Sequence, residues 1–285
     1  MANPFLRWAG GKRWLVPFIK QSIEGFDYKT YFEPFVGGGA LLFALEPKHS
    51  EIGDLNAELI ETYAAVRKSP LEIKRRLAKL SVNRTNYNRV RASLPQDTLD
   101  RAVRFIFLNR TCFCGLYRVN RKGGFNVPYG GGSRTPAVLT DSAILENAAR
   151  VLRQTSIKCS DFELTLSRAG RGDLVFCDPT YARKIRTEMF DRYNDKVFSW
   201  NDQKRLATAC RRATQRGASV IVTNIHCREI RDLYSFGINF RSSRRSAMCS
   251  AHPNSGLLEE SVIFAGSKLI AHLSNRQEFR ISKVA

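Results

Sequence analysis

Apolar positions in the opening third of the chain come in short blocks separated by turns. "TYFEPF" (30–35) reads as a strand, "GGGALLFAL" as a glycine turn running into a helix, and "SEIGD" (50–54) as a second short strand. A helix follows in "NAELIETYAAVRKS", with Asn56 as its cap. Strand, glycine turn, helix, strand and acid in that order predict the first half of a doubly wound sheet. From residue 57 to 155 the pattern changes. "PLEIKRRLAKL", "NYNRVRASL" and "TLDRAVRFIFLNRT" have helical period and many arginines, and a loop dense in glycine and basic residues follows, "VNRKGGFNVPYGGGSRTP". The strand–helix rhythm then resumes at "SIKCSDF" (156–162), "DLVFCD" (173–178), "ASVIVTN" (218–224), "NFRSSRR" (239–245) and "LEESVIFA" (258–265). The expected organisation is one α/β domain, residues 1–56 and 156–285, interrupted by a basic helical insertion over 57–155.

Two of these blocks invite chemistry. "DLVFCD" is a buried-strand pattern ending in a carboxylate, with Pro179, Thr180 and Tyr181 directly after it. Asp-Pro is also a common turn opener, so the block alone does not decide between a turn and a site. The glycine turn matches no phosphate cradle. A dinucleotide motif through Gly37 and Gly39 meets Leu42 where its last glycine belongs, and a P-loop ending at Gly11-Lys12 would need glycine at Leu6 and a hydroxyl at Arg13. What remains is a turn that lets a ligand approach the backbone at the end of the first strand. Asp54 closes the next strand, where an acid accepts from a ribose diol in nucleotide-binding folds, or simply flanks a helix. A ligand with an adenosine and no phosphates, such as S-adenosylmethionine, satisfies both features.

Charge narrows the partner. The 285 residues carry 46 Lys plus Arg against 26 Asp plus Glu, a formal net charge of +20. That is beyond the magnitude of ~2–8 that keeps a small domain soluble, and it points to a polyanion such as nucleic acid. No run approaches the ~18 apolar residues of a membrane-spanning helix, and the start of the chain has no apolar segment of signal-peptide type. The seven cysteines are scattered without zinc-ligand spacing, so they are expected to be reduced thiols, and no metal is expected.

The blocks "FLRWAGGKRWL", "YFEPFVGGGAL", "IGDLNAELI", "LNRTCFCGLYRVNRKGGFNVPYG" and "LVFCDPTY", in that order, resemble the Dam-like D12 (alpha-group) class of DNA adenine-N6 methyltransferases. The resemblance runs from about residue 5 to residue 265. It implies a Rossmann-like methyltransferase fold with a mixed seven-stranded sheet and an inserted helical target-recognition domain. It implies methyl transfer from S-adenosylmethionine to adenine in double-stranded DNA, at GATC or a relaxed variant, leaving S-adenosylhomocysteine. The base would be flipped into the site, because the amine is unreachable inside a duplex. The resemblance further implies a monomer without an obligate protein partner, away from membranes, in a bacterial or phage-infected cytoplasm.

Residue by residue, the resemblance places the cofactor at Trp8, Lys12, Glu33, Phe35, Gly37, Gly39, Asp54, Asp161, Phe162 and Asp178. The catalytic signature Asp-Pro-Pro-Tyr corresponds to Asp178, Pro179 and Tyr181, with Thr180 in place of the second proline. DNA contacts fall on Arg110, Phe113, Leu116, Arg118, Asn120, Arg121 and Lys122, and Arg118 suits a bidentate contact to guanine. Cys114 stands where relatives carry Asn, and Phe113 where they carry Tyr or Phe; these are either packing positions or a change of target choice.

Overall fold

The computed structural model describes residues 2–120, 122–132, 135–181, 198–245 and 257–276. Among them, seven strands form one sheet: β1 (Tyr31–Glu33), β2 (Ser50–Asp54), β3 (Thr155–Cys159), β4 (Leu174–Cys177), β5 (Ser219–Ile225), β6 (Gly237–Arg245) and β7 (Leu257–Ala265). Their order is β3-β2-β1-β4-β5-β7-β6. β1 pairs in parallel with β2 and β4, and β4 in parallel with β5. β7 runs antiparallel between β5 and β6. This is the mixed seven-stranded α/β sheet of the expected methyltransferase fold. Strand order reverses at β1, which has β2 on one side and β4 on the other, and the crevice at the carboxyl ends there is where open α/β sheets bind ligands.

Among the described residues the α-helices are α1 (Val16–Ser22), α2 (Ala40–Leu45), α3 (Ala57–Lys68), α4 (Pro70–Leu77), α5 (Arg84–Ala92), α6 (Thr98–Thr111), α7 (Ser142–Leu152), α8 (Phe162–Arg168), α9 (Trp200–Gln215), α10 (Arg228–Leu233) and α11 (Ser267–Ser274). The chain divides into two compact units. One comprises Met1–Pro17, Val36–Lys48 and Asp54–Cys159, and the other Phe18–Phe35, His49–Gly53 and Ser160–Ala285.

In the first unit, Asn56 caps α3 as its sequence position predicts, its side chain accepting from Leu59 N at 3.1 Å. Asn83 and Asp97 cap α5 and α6 in the same way. α3 contributes Tyr63 to a small aromatic cluster with Phe5 and Phe43, with ring centroids 5.2–6.2 Å apart. In the second unit, β4 is buried throughout and apolar on both faces, and β5 is buried up to Ile225, with Ser219, Thr223 and Asn224 as its buried polar positions. Val175, Cys177, Val220 and Val222 pack there with Phe162, Leu166, Leu206 and Ile263. α9 opens on a reciprocal capping box between Ser199 and Asp202.

One boundary departs from the sequence pattern. The third strand stops at Cys159 rather than running to residue 162, because the Asp161 carboxylate accepts from Glu163 N at 2.9 Å and starts α8. A local side-chain cap outcompetes strand continuation there. Five thiols, Cys112, Cys159, Cys177, Cys210 and Cys227, are free, whereas Cys114 is disulfide-bonded, against the expectation of reduced cysteines throughout.

Candidate functional site

In the first unit, the turn that follows β1 is built around two glycines with left-handed backbones. Gly37 has φ of +45°, and a Cβ on it would stand 2.7 Å from Trp8 Cδ1. Gly39 has φ of +65°, and its Cβ would stand 2.8 Å from the Tyr63 hydroxyl. Both positions therefore need glycine twice over, for conformation and for space. The Tyr63 hydroxyl donates to Gly37 O at 3.0 Å from a fully buried ring. Asp54 closes the other side: Oδ2 accepts from Gly37 N at 3.2 Å and Oδ1 from Asn56 N at 3.0 Å. Burial pushes the Asp54 carboxyl up, while these backbone amides oppose the shift.

Trp8 lies over the glycine turn and stacks on Tyr117, centroids 5.8 Å apart and planes 18° from parallel. Its segment is fastened by Asn109, which accepts from Arg7 N at 2.8 Å and donates to Arg7 O at 2.7 Å. Trp8, Gly37, Gly39 and Asp54 thus come together. Lys12 is buried, with its ammonium donating to Gly10 O at 2.9 Å.

In the second unit, Asp178 follows the last residue of β4, and Pro179 behind it is buried. The Thr223 hydroxyl donates to Asp178 Oδ1 at 2.6 Å, a short charge-assisted bond. The Tyr181 hydroxyl donates to Glu260 Oε2 at 2.8 Å. Burial, then the charges of Asp178 and Glu260, hold that phenol well above its ordinary value, so it stays protonated. Thr180 is exposed, and its carbonyl accepts from Gln203 Nε2 at 3.5 Å. Gln203 is itself held by Asn224 at 2.9 Å.

Glu33, at the end of β1, is buried and accepts from Tyr31 at 2.8 Å. Phe35 stacks on Phe162 at 5.3 Å and meets Phe198 edge-on. Asp161 pairs with Arg205 at 3.0 Å, and the Arg205 guanidinium lies 4.8 Å over the Phe162 ring.

The remaining predicted residues lie in the last turn of α6 and on the segment after it, again in the first unit. Phe113 is exposed (46%), although it is a large aromatic ring. Cys114 has φ of +56° and Gly115 φ of +65°, so the chain turns sharply there. Leu116 follows half-buried. The Arg118 guanidinium is held by Asn126, with Nε donating to Oδ1 at 2.8 Å. Asn120 Oδ1 accepts from the backbone of Lys122 and Gly124, both at 2.9 Å, so this side chain shapes the loop. Lys122 is exposed, and Arg121 lies outside the described residues. Arg110 Nε is buried and has no hydrogen-bond partner among the described residues. Burial, then the charges of Arg7 and Arg13, push its guanidinium down to about 10.

Sequence reasoning passed over Thr223, Glu260, Asn109, Tyr117 and Arg205. Two left a trace: Thr223 is a polar residue near the end of an apolar strand, and Glu260 an acid entering one. Asn109, Tyr117 and Arg205 carry no local signal.

Comparison with known proteins shows the family. The family model for D12 class N6 adenine-specific DNA methyltransferases matches residues 8–248. The Type II methyltransferase M1.LlaDCHI of Lactococcus lactis subsp. cremoris is 36% identical over 242 residues, spanning 81% of this chain and 84% of the relative. The Type II methyltransferase M.MjaIII of Methanocaldococcus jannaschii is 36% identical over 248 residues, spanning 78% and 84%. The DNA adenine methylase of Escherichia coli K12 is 31% identical over 226 residues, spanning 77% and 80%. With ordered motifs, sheet topology and family match in agreement, the chain belongs to the D12 class of N6 adenine-specific DNA methyltransferases.

Proposed function

We propose that this protein, acting as a monomer, methylates adenine N6 at GATC or a relaxed variant of it in double-stranded DNA, on a base flipped out of the duplex. The observation that carries the reading is the strand tip at Asp178, where a carboxylate fixed by Thr223 precedes a buried proline and an anchored tyrosine ring. An adenine amine is a weak nucleophile because its lone pair is delocalised into the ring. Acceptors on its hydrogens return that pair to nitrogen, and the Asp178 carboxylate and the Pro179 carbonyl are suited to the task. The Tyr181 ring offers a stacking face for the extruded base. As the N–CH3 bond forms, one amine proton passes to solvent. Among the described residues, Thr180 contributes its backbone carbonyl to the contacts around this turn, so the substitution of the second proline is compatible with turnover.

The residues fit S-adenosylmethionine as methyl donor. Gly37 and Gly39 leave open the backbone that a Cβ would obstruct. Asp54 has carboxylate lone pairs for a ribose diol, Phe35 and Phe162 present flat apolar faces, and Asp161, held by Arg205, has lone pairs suited to an adenine amine. Glu33, Trp8 and Lys12 complete the set. When bound, this group supplies an electrophilic methyl on a sulfonium and leaves as S-adenosylhomocysteine.

The inserted helices over 57–155 would engage the DNA. Arg110, with an unsatisfied Nε beside two further arginines, calls for an anion, and a backbone phosphate supplies it. Phe113 and Leu116 offer apolar contacts, Arg118 a guanine contact, and Asn120, Arg121 and Lys122 polar and cationic ones. Cys114 in place of an amide favours looser target choice. Incubation with labelled S-adenosylmethionine and a random-sequence duplex library tests the reading. Label should appear on adenine N6, most strongly within GATC. DNA retained without label would identify a binding module instead.

A further inference from the structure

Four side chains of the second unit form a continuous polar chain that the assigned roles leave unexplained. Glu260 is 1% exposed on β7, a burial that a carboxylate tolerates only with partners. Its Oε2 accepts from the Tyr181 hydroxyl at 2.8 Å. The Thr223 hydroxyl bonds Asp178 Oδ1 at 2.6 Å and also faces the Tyr181 hydroxyl. Strand register explains why they meet. Thr223 pairs with Val262, and Ile225 with Glu260, so Thr223 and Glu260 lie two residues apart along one face of the β5–β7 ladder. Cys177 pairs with Val222 on the neighbouring strand, which brings Asp178 level with Thr223.

We propose that Glu260 and Thr223 are positioning residues for methyl transfer: Glu260 tethers the Tyr181 hydroxyl and so fixes the ring plane, while Thr223 fixes the carboxylate plane of Asp178. This rests on the reading of Asp178 and Tyr181 given above. Both groups face an incoming base, and neither can orient itself. A tyrosine ring turns about two side-chain bonds, and a carboxylate about its own axis. A ring held at its hydroxyl has one orientation, and a carboxylate held at Oδ1 presents its other oxygen in a fixed direction. Reacting groups must stand in a narrow geometry for transfer, and loss of such fixation slows the step without weakening the binding of the donor. The raised phenol of Tyr181 fits this role, because the hydroxyl remains a donor to Glu260 across the working pH range.

Single-turnover methylation of a GATC duplex, with S-adenosylmethionine affinity measured by calorimetry on the same samples, tests the proposal. Glu260→Ala, Tyr181→Phe and Thr223→Val should each slow transfer about 10- to 100-fold, the loss expected for one charge-assisted hydrogen bond, with donor affinity unchanged. Glu260→Gln and Thr223→Ser, which keep an acceptor and a hydroxyl, should restore most of the rate. The double variant Glu260→Ala/Tyr181→Phe should be no slower than the slower single variant, because both changes cut one tether. Losses that multiply in the double variant, or parental rates in Tyr181→Phe, overturn the tether. Tyr181→Phe keeps the ring and serves even if Glu260→Ala does not fold. A parent that transfers no methyl refutes the proposed function itself, whereas an active parent with indifferent variants refutes only the positioning roles.

Discussion

Gly37→Ala probes the glycine turn at its tightest point. Two effects follow from the geometry. Alanine at φ of +45° enters the left-handed region, which costs a non-glycine residue about 1–2 kcal/mol. Its Cβ would also stand 2.7 Å and 2.9 Å from Cδ1 and Nε1 of Trp8, too close for any real contact, so the indole must move. Moving it disturbs the stacked pair with Tyr117, and such pairs contribute about 0.5–1.5 kcal/mol beyond area. The lower entropy of the unfolded alanine chain offsets about 0.4–1 kcal/mol. The expected net destabilisation is about 1–3 kcal/mol, read as a lower urea midpoint at unchanged slope. Indole fluorescence should change with it, because Trp8 leaves its stack. Affinity for S-adenosylmethionine should fall at least tenfold, since the ring and the Gly37 amide held by Asp54 both shift. An alanine variant with the parental midpoint, parental fluorescence and parental affinity would refute the argument that this turn requires glycine and that Trp8 is fixed by it.

Asp178→Ala should abolish transfer while the protein stays folded, as removal of a positioned acceptor commonly costs ~3 kcal/mol or more; a rate within a few-fold of the parent rules out the catalytic role. Asn109→Ala removes two hydrogen bonds to the Arg7 backbone and should destabilise by about 2–4 kcal/mol in urea titration, and an unchanged midpoint would show that the segment carrying Trp8 is held elsewhere. DNA affinity should fall steeply with salt as counterions are released, and Arg110→Gln should make the logarithmic slope shallower by ~1; a flat parental plot counts against reading the +20 charge as a DNA footprint. Cys114→Asn, assayed in reductant beside the parent, should sharpen the preference for GATC by about 10-fold or more on the random library, and a parent already confined to GATC makes this position one of packing.

Cys114 shows how one residue can carry two messages. Its φ of +56° is a conformation that asparagine adopts readily and cysteine does not. An amide there serves the backbone turn as well as any contact to DNA, and a one-dimensional comparison cannot separate the two. Asp161 is similar. The resemblance puts it beside a cofactor, and in the fold it caps α8 and pairs with Arg205.

The sequence by itself determined the α/β class, the glycine turn, the strand tip at Asp178, the cap at Asn56 and the basic helical stretch. All of these follow from local pattern: apolar runs of strand length, residues that alone tolerate a given backbone, and charge counted along the chain. Tertiary structure decided the rest. β7 enters antiparallel between β5 and β6, and that placement carries Glu260 to the Tyr181 hydroxyl across 79 residues of chain. Asn109 reaches Arg7 across 102 residues, and Tyr117 meets Trp8 the same way. Hydrogen bonds and ring contacts between distant segments depend on register and packing, which a local pattern does not encode. A strand tip can be read one residue at a time, but the partners that hold it in place exist only once the sheet has closed around it.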